Sequence, residues 1–191
     1  MSQIFEEDGK VVPVTLVEVD SNVVVTVKTK DTDGYEAVVL GTGYKKKISK
    51  PLKGQLKDLG NFRYLREFRS LKSGGKDLAV GDKLDTSVFS VGDKVRVAGV
   101  TKGRGFQGAV KRHGFKGMPA GHGHRAVRRH VGSIGQRFPQ HTRKGMRMAG
   151  HMGDRSFTVR GLKVVRIDKD ILAIKGAIPG QRGGLLKVMG M

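Results

Sequence analysis

A basic, glycine-rich stretch in the second half of the chain limits the possible folds more than any other sequence feature. Residues 102–160 contain fourteen lysines and arginines against a single acid, Asp154, which gives this stretch a net charge of +13. The six histidines of the chain also lie here. Because such a segment repels itself and offers few apolar side chains to bury, we predict that it cannot form a core alone and that a polyanion provides its order.

The remainder of the chain is long enough to form a core. The sequence has 191 residues and a net charge of +20, and a domain of roughly 130 residues buries about two-thirds of its unfolded surface. The absence of cysteine excludes disulfides, thiolate metal ligands and a cysteine nucleophile. Because the sequence has neither a signal-peptide pattern nor an apolar run of about eighteen residues, we expect a cytoplasmic protein without membrane contact.

Strand patterns precede the basic stretch. Residues 11–19 alternate apolar with other side chains and residues 23–29 are β-branched. We predict that these two strands form a hairpin around the turn residues 20–22. A turn at 31–34 leads to a third predicted strand at 35–40.

After these strands, the residue pattern is no longer that of a β-strand. Residues 43–60 contain a lysine run, and the leucine spacing after Pro51 predicts a short helix. Lysines 45–47 could touch phosphate, although such a run is more often a solvated surface, so we treat it as peripheral. Two similar phrases, VGDKL at 80–84 and VGDKV at 91–95, predict turns that feed short strands.

Further strand patterns lie on both sides of the basic stretch. They cover residues 62–68, 95–100, 156–159, 162–167 and 171–174, with a hairpin turn at 168–170. Short strands around one long insertion predict a barrel with closed edges from which a loop projects.

One motif in the basic stretch is the glycine pattern of dinucleotide-binding proteins. Residues 103–108 match G-x-G-x-x-G after a strand. About twenty residues further on, where an acid should bind the ribose, there are three arginines between 125 and 129. We therefore interpret the glycines as positions where the backbone approaches phosphate, which Lys102 and Arg104 neutralise.

The histidines suggest a zinc site, and a serine near one of them suggests hydrolysis, but both interpretations lack a necessary group. His122, His124, His130 and His141 have no nearby carboxylate or thiolate to help hold a dication. Ser133 lies near His130, but no acid is placed to orient the histidine. We expect these imidazoles to stack on bases or to donate to phosphate, and we expect no enzyme activity.

Phosphate binding accounts for most features of the stretch. If eight of the fourteen cations neutralise phosphates, the logarithm of the affinity should fall with that of salt at a slope of about −6 to −7. Arginine outnumbers lysine between residues 125 and 160, which favours bidentate phosphate contacts and stacking on exposed bases. Folded RNA fits this better than uniform duplex DNA.

Three motifs, in order, resemble one protein family. Residues 99–112 read GVTKGRGFQGAVKR, residues 132–135 read GSIG and residues 148–153 read MAGHMG. With the opening MSQIFEEDGKVVPVTLVEV and the closing phrase IKGAIPGQRGG, they resemble bacterial-type ribosomal protein L-three, the universal large-subunit ribosomal protein three family. The resemblance covers essentially the whole chain.

The resemblance implies a mainly β fold with a small α+β insertion at about residues 43–94. It further implies a closed Greek-key barrel of translation-factor type that carries a long, basic, mostly irregular loop extension. On this basis, residues 1–112 with 155–191 form the globular part, and residues 113–154 form an extended loop that penetrates rRNA.

The same resemblance implies a structural constituent of the large ribosomal subunit, in the cytoplasm. Such a protein binds large-subunit rRNA directly, supports early subunit assembly and extends its loop toward the peptidyl-transferase centre without performing the chemistry there. Neighbouring large-subunit ribosomal proteins are its other implied partners. We expect no cofactor, metal, membrane or small-molecule substrate.

The residues expected to contact rRNA belong to the basic stretch and its glycine motif. They are Lys102, Gly103, Arg104, Gly105, Lys111, Arg112, His113, Lys116, His122, Arg125, Arg128, Arg129, Ser133, Gln136, Arg137, Arg143, Lys144, Arg147, Arg155 and Arg160. An alternative function, motivated by the histidine cluster, is a transient RNA-modifying or RNA-chaperone factor that uses the same loop.

Overall fold

The chain is mainly β, as predicted. The computed structural model describes residues 1–69 and 78–191, so residues 70–77 of the predicted insertion lie outside the described residues. Within residues 1–69 and 78–191, the strands are β1 Ser2–Phe5, β2 Val11–Glu18, β3 Asn22–Lys28, β4 Ala37–Tyr44, β5 Phe62–Phe68, β6 Lys83–Leu84, β7 Lys94–Val100, β8 Phe106–Gln107, β9 Gly150–His151, β10 Ser156–Asp168, β11 Ile171–Lys175 and β12 Leu186–Gly190.

The helices are short. They are α1 Lys30–Asp33, α2 Lys50–Leu56 and α3 Ala109–His113, with 3-10 turns at Lys57–Leu59 and Thr86–Val88. The helix predicted after Pro51 is confirmed as α2, in which that proline occupies the first turn. In the part of the chain that the structure describes, no helix has the length and apolarity needed to span a bilayer.

The strands form three sheets. The largest has the order β1-β2-β11-β10-β7-β12, the second has the order β5-β4-β3-β6, and β8 pairs with β9 alone. Among the strands of residues 1–69 and 78–191, no pairing closes either larger sheet into a barrel. The closed Greek-key barrel therefore stays a prediction.

The predicted hairpin between residues 11–19 and 23–29 is wrong. Both strands exist, but β2 pairs with β1 and β11, whereas β3 pairs with β4 and β6. The alternation of β2 buries Val12 and Val14 on one face, and Ala173 of β11 completes that cluster. A strand pairs with the neighbour that completes its buried face, and here that neighbour comes from far along the chain.

Several other strands differ from their predicted bounds. The strands predicted at 156–159 and 162–167 are one continuous strand, β10, which then turns at residues 168–170 into β11 as expected. The sequence patterns did not reveal β1, β12 or the two-residue strands β8 and β9. The two-residue strands have too few residues for alternation to be recognised.

The two VGDK phrases adopt the same turn, as predicted. The carboxylate of Asp82 accepts a hydrogen bond from the Ala79 N–H at 2.8 Å, and that of Asp93 accepts one from the Ser90 N–H at 2.8 Å. The Asp82 N–H donates to the Ala79 carbonyl, and the Asp93 N–H donates to the Ser90 carbonyl, each at 3.2 Å. The turns lead directly into β6 and β7.

The chain divides into two compact units, which we call the body unit and the finger unit. The body unit comprises residues 1–96, 160–177 and 189–191, and the finger unit comprises residues 97–159 and 178–188. Among its described residues, the body unit includes two apolar clusters. One consists of Val12, Val14 and Ala173 with Ile4 and Val165 packed against it, and the other of Val24, Val38 and Leu40 with Phe68, Leu78 and Leu84.

A polar network lies on the second sheet of the body unit. The Lys28 ammonium donates to the Tyr35 hydroxyl at 2.6 Å and to the Glu67 carboxylate at 2.9 Å. The hydrogen bonds with Tyr35 and Glu67 raise the pKa of Lys28. The hydrogen bond from Lys28 lowers the pKa of Glu67. Because Arg69 and Lys28 each lie 4.8 Å from the Tyr35 ring centroid, the tyrosine ring interacts with two cations.

We expect Leu172→Ala to lower the free energy of unfolding by about 2–5 kcal/mol, because it leaves a cavity at a fully buried side chain. The matched control is Leu16→Ala on the adjacent strand, where the leucine is 54% exposed. We expect the control to cost less than about 1 kcal/mol. Urea unfolding of both variants measures the difference, and equal costs would contradict the assignment of Leu172 to the core.

We expect Glu67→Gln to destabilise the body unit at neutral pH, with the effect disappearing in acid. The folded-state pKa of Glu67 lies below its ordinary value of 4.5, so its stabilisation is present above that value and is lost as the pH falls through the lowered pKa. The control is Glu36→Gln, which removes an exposed pair with Lys30 at 3.6 Å and should change little. Unfolding free energies between pH 3 and 7 test this, and a pH-independent difference for Glu67→Gln would refute it.

Candidate nucleic-acid interface

Backbone pairing holds together the two ends of the basic stretch. We call residues 101–107 and 150–155 the neck. It contains the pairs Phe106 with His151 and Gln107 with Gly150. Its further backbone hydrogen bonds run from Thr101 N to Arg155 O at 3.0 Å, Asp154 N to Thr101 O at 3.1 Å, Arg104 N to Met152 O at 2.8 Å and Met152 N to Gly105 O at 2.9 Å. The neck therefore has its own structure, whereas we predicted that a polyanion provides the order of the basic stretch.

A side-chain clamp lies next to the neck. Nη1 of Arg112, on α3, donates to the Met148 carbonyl oxygen at 2.8 Å, and Nε2 of His113 lies 3.0 Å from the same oxygen. Because a carbonyl oxygen only accepts, this His113 contact is a hydrogen bond when Nε2 carries the hydrogen. At Gly150 an added Cβ would lie 2.6 Å from Arg112 Nη1, so the glycine makes room for the guanidinium. Two side chains predicted to bind rRNA thus also support the chain's own fold.

The finger unit has almost no apolar core in this region. Ala109, 1% exposed, is the only buried residue between positions 100 and 155, all of which are described. Between α3 and Met148 the chain is folded by turns, with backbone hydrogen bonds from Met118 N to Arg128 O at 2.9 Å and from His130 N to Val127 O at 3.1 Å. Hydrogen bonding, and not apolar burial, shapes this segment.

The positive charge of the interface has no ion-pair partner among the described residues. Of the predicted rRNA-binding residues, only Arg112 and His113 are half-buried, and the other eighteen are exposed. No ion pair between described residues involves positions 102–160. Thirteen of the fourteen cations are therefore exposed and uncompensated, an arrangement that attracts an external polyanion.

The histidines are not gathered into a metal site. Among residues 1–69 and 78–191, no three histidine, aspartate or glutamate side chains come close enough together to hold a metal ion. Within the basic stretch, His124 takes part in local backbone turns. His122 has a positive φ of 56°, and its side chain is exposed.

Three exposed aromatic rings were missed by the sequence reasoning. Phe106 is 77% exposed, and Phe138 and Phe157 are also exposed. The Arg137 guanidinium lies 5.7 Å from the Phe138 ring centroid. Exposed rings among cations are the means by which proteins stack on nucleic-acid bases. The available signal was phenylalanine within a hydrophilic, glycine-rich stretch, where no apolar partner can cover it.

Three glycines of the finger unit are not required by its own fold. Gly108, Gly121 and Gly135 have φ values open to any residue, and no atom lies within 4 Å of the position that a Cβ would occupy. Ser133 donates to the Gly135 carbonyl at 2.7 Å, and the space beside the Gly135 Cα is open. Such positions suit close approach by an external partner.

A β body with an uncompensated, aromatic-bearing cationic extension is the architecture of a nucleic-acid-binding protein. Residues 76–190 match the family described as ribosomal protein L3. The chain is similar to large ribosomal subunit protein uL3 of Dehalococcoides mccartyi, with 46% identity over 191 residues covering 98% of this chain and 92% of that protein. The proteins of the same name from Herpetosiphon aurantiacus and Vibrio cholerae are each 45% identical, covering 98% and 96% of this chain and 91% and 90% of their own lengths. The chain belongs to the ribosomal protein L3 family, and the resemblance drawn from its motifs is confirmed.

We expect Gly153→Ala to open the neck, because an added Cβ would collide with the Lys102 carbonyl oxygen and because Gly153 has a φ of 79°. The matched control is Gly105→Ala, at a φ of 65° with open space around the Cβ position, which should cost only about 1–2 kcal/mol of backbone strain. Amide hydrogen exchange at Met152 and Asp154 measures whether the backbone hydrogen bonds of the neck are formed. Equal protection in the two variants would show that the collision is relieved without opening it.

Proposed function

We propose that this chain is a structural constituent of the large ribosomal subunit, acting in the cytoplasm within the ribosome and without enzyme activity. Its membership of the ribosomal protein L3 family supports this. The observation that carries the proposal is the set of thirteen exposed cations, none of them in an ion pair between described residues, on a segment with one buried residue. A segment of this kind gains a defined shape when phosphates enclose it.

The chain's own groups perform three tasks in rRNA binding. Exposed arginines such as Arg128 and Arg129 make bidentate contacts with phosphate oxygens. Glycines such as Gly108 and Gly135 let the RNA backbone come close. Exposed rings such as Phe138 stack on unpaired bases. We infer that the remaining predicted site residues of the basic stretch contribute phosphate contacts in the same way.

The neck gives the extension a fixed origin. We infer that residues 113–154 form the part that penetrates folded rRNA and extends toward the peptidyl-transferase centre, while the globular part, residues 1–112 with 155–191, remains outside and contacts neighbouring ribosomal proteins. Because the neck and the Arg112 clamp are formed within the protein, less conformational entropy is lost when RNA binds. This supports a role in early subunit assembly, when rRNA is still folding.

The closed Greek-key barrel of the globular part belongs to the same proposal. Its support is the order of the six-stranded sheet, in which the N-terminal strand β2 lies beside β11 from near the other end of the chain. Greek-key topologies return distant strands to one another in this way. Closure would also remove exposed strand edges, which otherwise invite aggregation.

Co-sedimentation tests the proposed function directly. We expect the tagged chain to remain with large subunits at one copy per subunit through a moderate-salt wash. Recovery of free protein under these conditions would refute the proposal. Salt-labile association well below one copy per subunit would instead favour the transient RNA-modifying or RNA-chaperone factor.

We expect the double variant Arg128→Gln/Arg129→Gln to reduce the salt dependence of binding to large-subunit rRNA. Loss of two phosphate contacts should make the slope of log affinity against log salt shallower by about 1.4–1.8. The matched control, Lys10→Gln/Lys30→Gln, removes the same charge from lysines that pair with Asp8 and Glu36, and should leave the slope unchanged. Equal slopes for the arginine variant and the native chain would mean that both arginines face solvent in the complex.

A further inference from the structure

The short helix α3 carries two adjacent cations in different surroundings. Ala109, Arg112 and His113 are three and four residues apart and therefore share one side of the helix. Ala109 is buried, and Arg112 and His113 are half-buried, so this side of the helix faces the chain of the finger unit. Lys111 lies off this side and is exposed. The two cations are thus presented to different groups, although they are neighbours in the sequence.

The guanidinium of Arg112 lies against the backbone of β9. A Cβ added at Gly150 would be 2.6 Å from Nη1, 3.1 Å from Cζ and 3.4 Å from Nη2, and these three nearest atoms all belong to Arg112. Nη1 donates to the Met148 carbonyl oxygen at 2.8 Å, and hydrogen bonds from a charged donor are about twice as strong as neutral ones. The glycine and the carbonyl together form a place for this one side chain.

The contact between Arg112 and Met148 joins parts of the chain that are 36 residues apart. Beyond it the chain forms two arms, which are residues 114–130 and residues 131–147. All residues of both arms are described, and no hydrogen bond joins one arm to the other. His113 supports the junction, because its Nε2 lies 3.0 Å from the same oxygen and its ring centroid lies 6.0 Å from that of Phe115. The junction therefore sets the point from which both arms start.

We propose that Arg112 is a positioning residue and not a phosphate contact: it holds the Met148 carbonyl and so fixes the starting points of both arms for rRNA binding. This inference rests on the proposed function, and it excepts Arg112 and His113 from the phosphate contacts inferred there. A contact that stays inside the protein releases no counterions from the RNA, so its contribution to affinity does not depend on salt. Lys111, which has no ion pair with a described residue, is the phosphate contact of α3.

The test compares Arg112→Gln with Lys111→Gln, which remove the same charge one residue apart. The full chain is titrated with protein-free large-subunit rRNA over a range of salt concentrations. We expect Arg112→Gln to lower the affinity about tenfold at every salt concentration and to keep the native slope of log affinity against log salt. Lys111→Gln should make that slope shallower by about 0.7–0.9. A slope change of this size for Arg112→Gln, or native affinity, would overturn the proposal.

Gly150→Ala displaces the guanidinium without changing the charge, because the added Cβ collides with Arg112 Nη1. We expect the same loss of affinity at every salt concentration as for Arg112→Gln. Since both changes act on one contact, the double variant should lose no more affinity than either single variant. Native affinity for Gly150→Ala, or losses that multiply in the double variant, would contradict the proposal.

A distance measurement on the free protein shows whether the arms are positioned. The chain has no cysteine, so spin labels can be attached at Lys116→Cys and Lys144→Cys, one exposed position on each arm. We expect Arg112→Gln to broaden the distribution of label distances, and Lys111→Gln to leave it as it is. An unchanged distribution for Arg112→Gln would overturn the proposal. So would an equal loss of body stability in urea unfolding, because the effect would then be general destabilisation.

The outcomes separate this inference from the proposed function. Failure of the native chain to bind large-subunit rRNA would refute the proposed function. Native binding, together with a shallower slope for Arg112→Gln, would refute only the positioning role and return Arg112 to the phosphate contacts.

Discussion

The backbone hydrogen bonds of the neck are the interaction on which the cationic extension depends. With Ala109 as the only buried residue between positions 100 and 155, apolar burial cannot hold the two ends of the stretch together. Each backbone hydrogen bond contributes only about 0.5–1.5 kcal/mol, but several act on the same pair of segments. Repulsion among exposed cations is weakened by water and salt. The neck can therefore form although the charge beyond it is unbalanced.

The side chains that stabilise the fold are mostly different from those that carry the unbalanced positive charge. Val14, Leu172 and Ile174, all fully buried, stabilise the body, whereas the exposed arginines of the finger unit contribute nothing to a core and are available for phosphate. Arg112 is the exception, because its guanidinium donates to the Met148 carbonyl. Arg112 therefore takes part in the fold of the finger unit itself, whereas the proposed function assigns the other cations to RNA.

The sequence patterns located most strands but not their partners. Val11–Glu18 and Asn22–Lys28 were found as strands, since alternation and β-branching involve neighbouring residues. Their assignment to one hairpin failed, because the turn at residues 20–22 is equally compatible with a crossing between sheets. Pairing of β2 with β11 depends on two apolar faces that meet only when the chain returns. Similarly, His113 was expected to contact RNA, and nothing local indicates its second partner, the Met148 carbonyl.

The amino-acid sequence alone determined the charge inventory, the position of the basic stretch, the strand-forming segments and, through three ordered motifs, the family. These are properties of composition and of residues close together in the chain. Only the tertiary structure decided which strands pair, which cations lack a partner, and which glycines, such as Gly108 and Gly135, are not required by their own surroundings. The physical reason is that a hydrogen bond, an ion pair or a buried contact needs two groups, and the position of the second group is set by the fold of the whole chain.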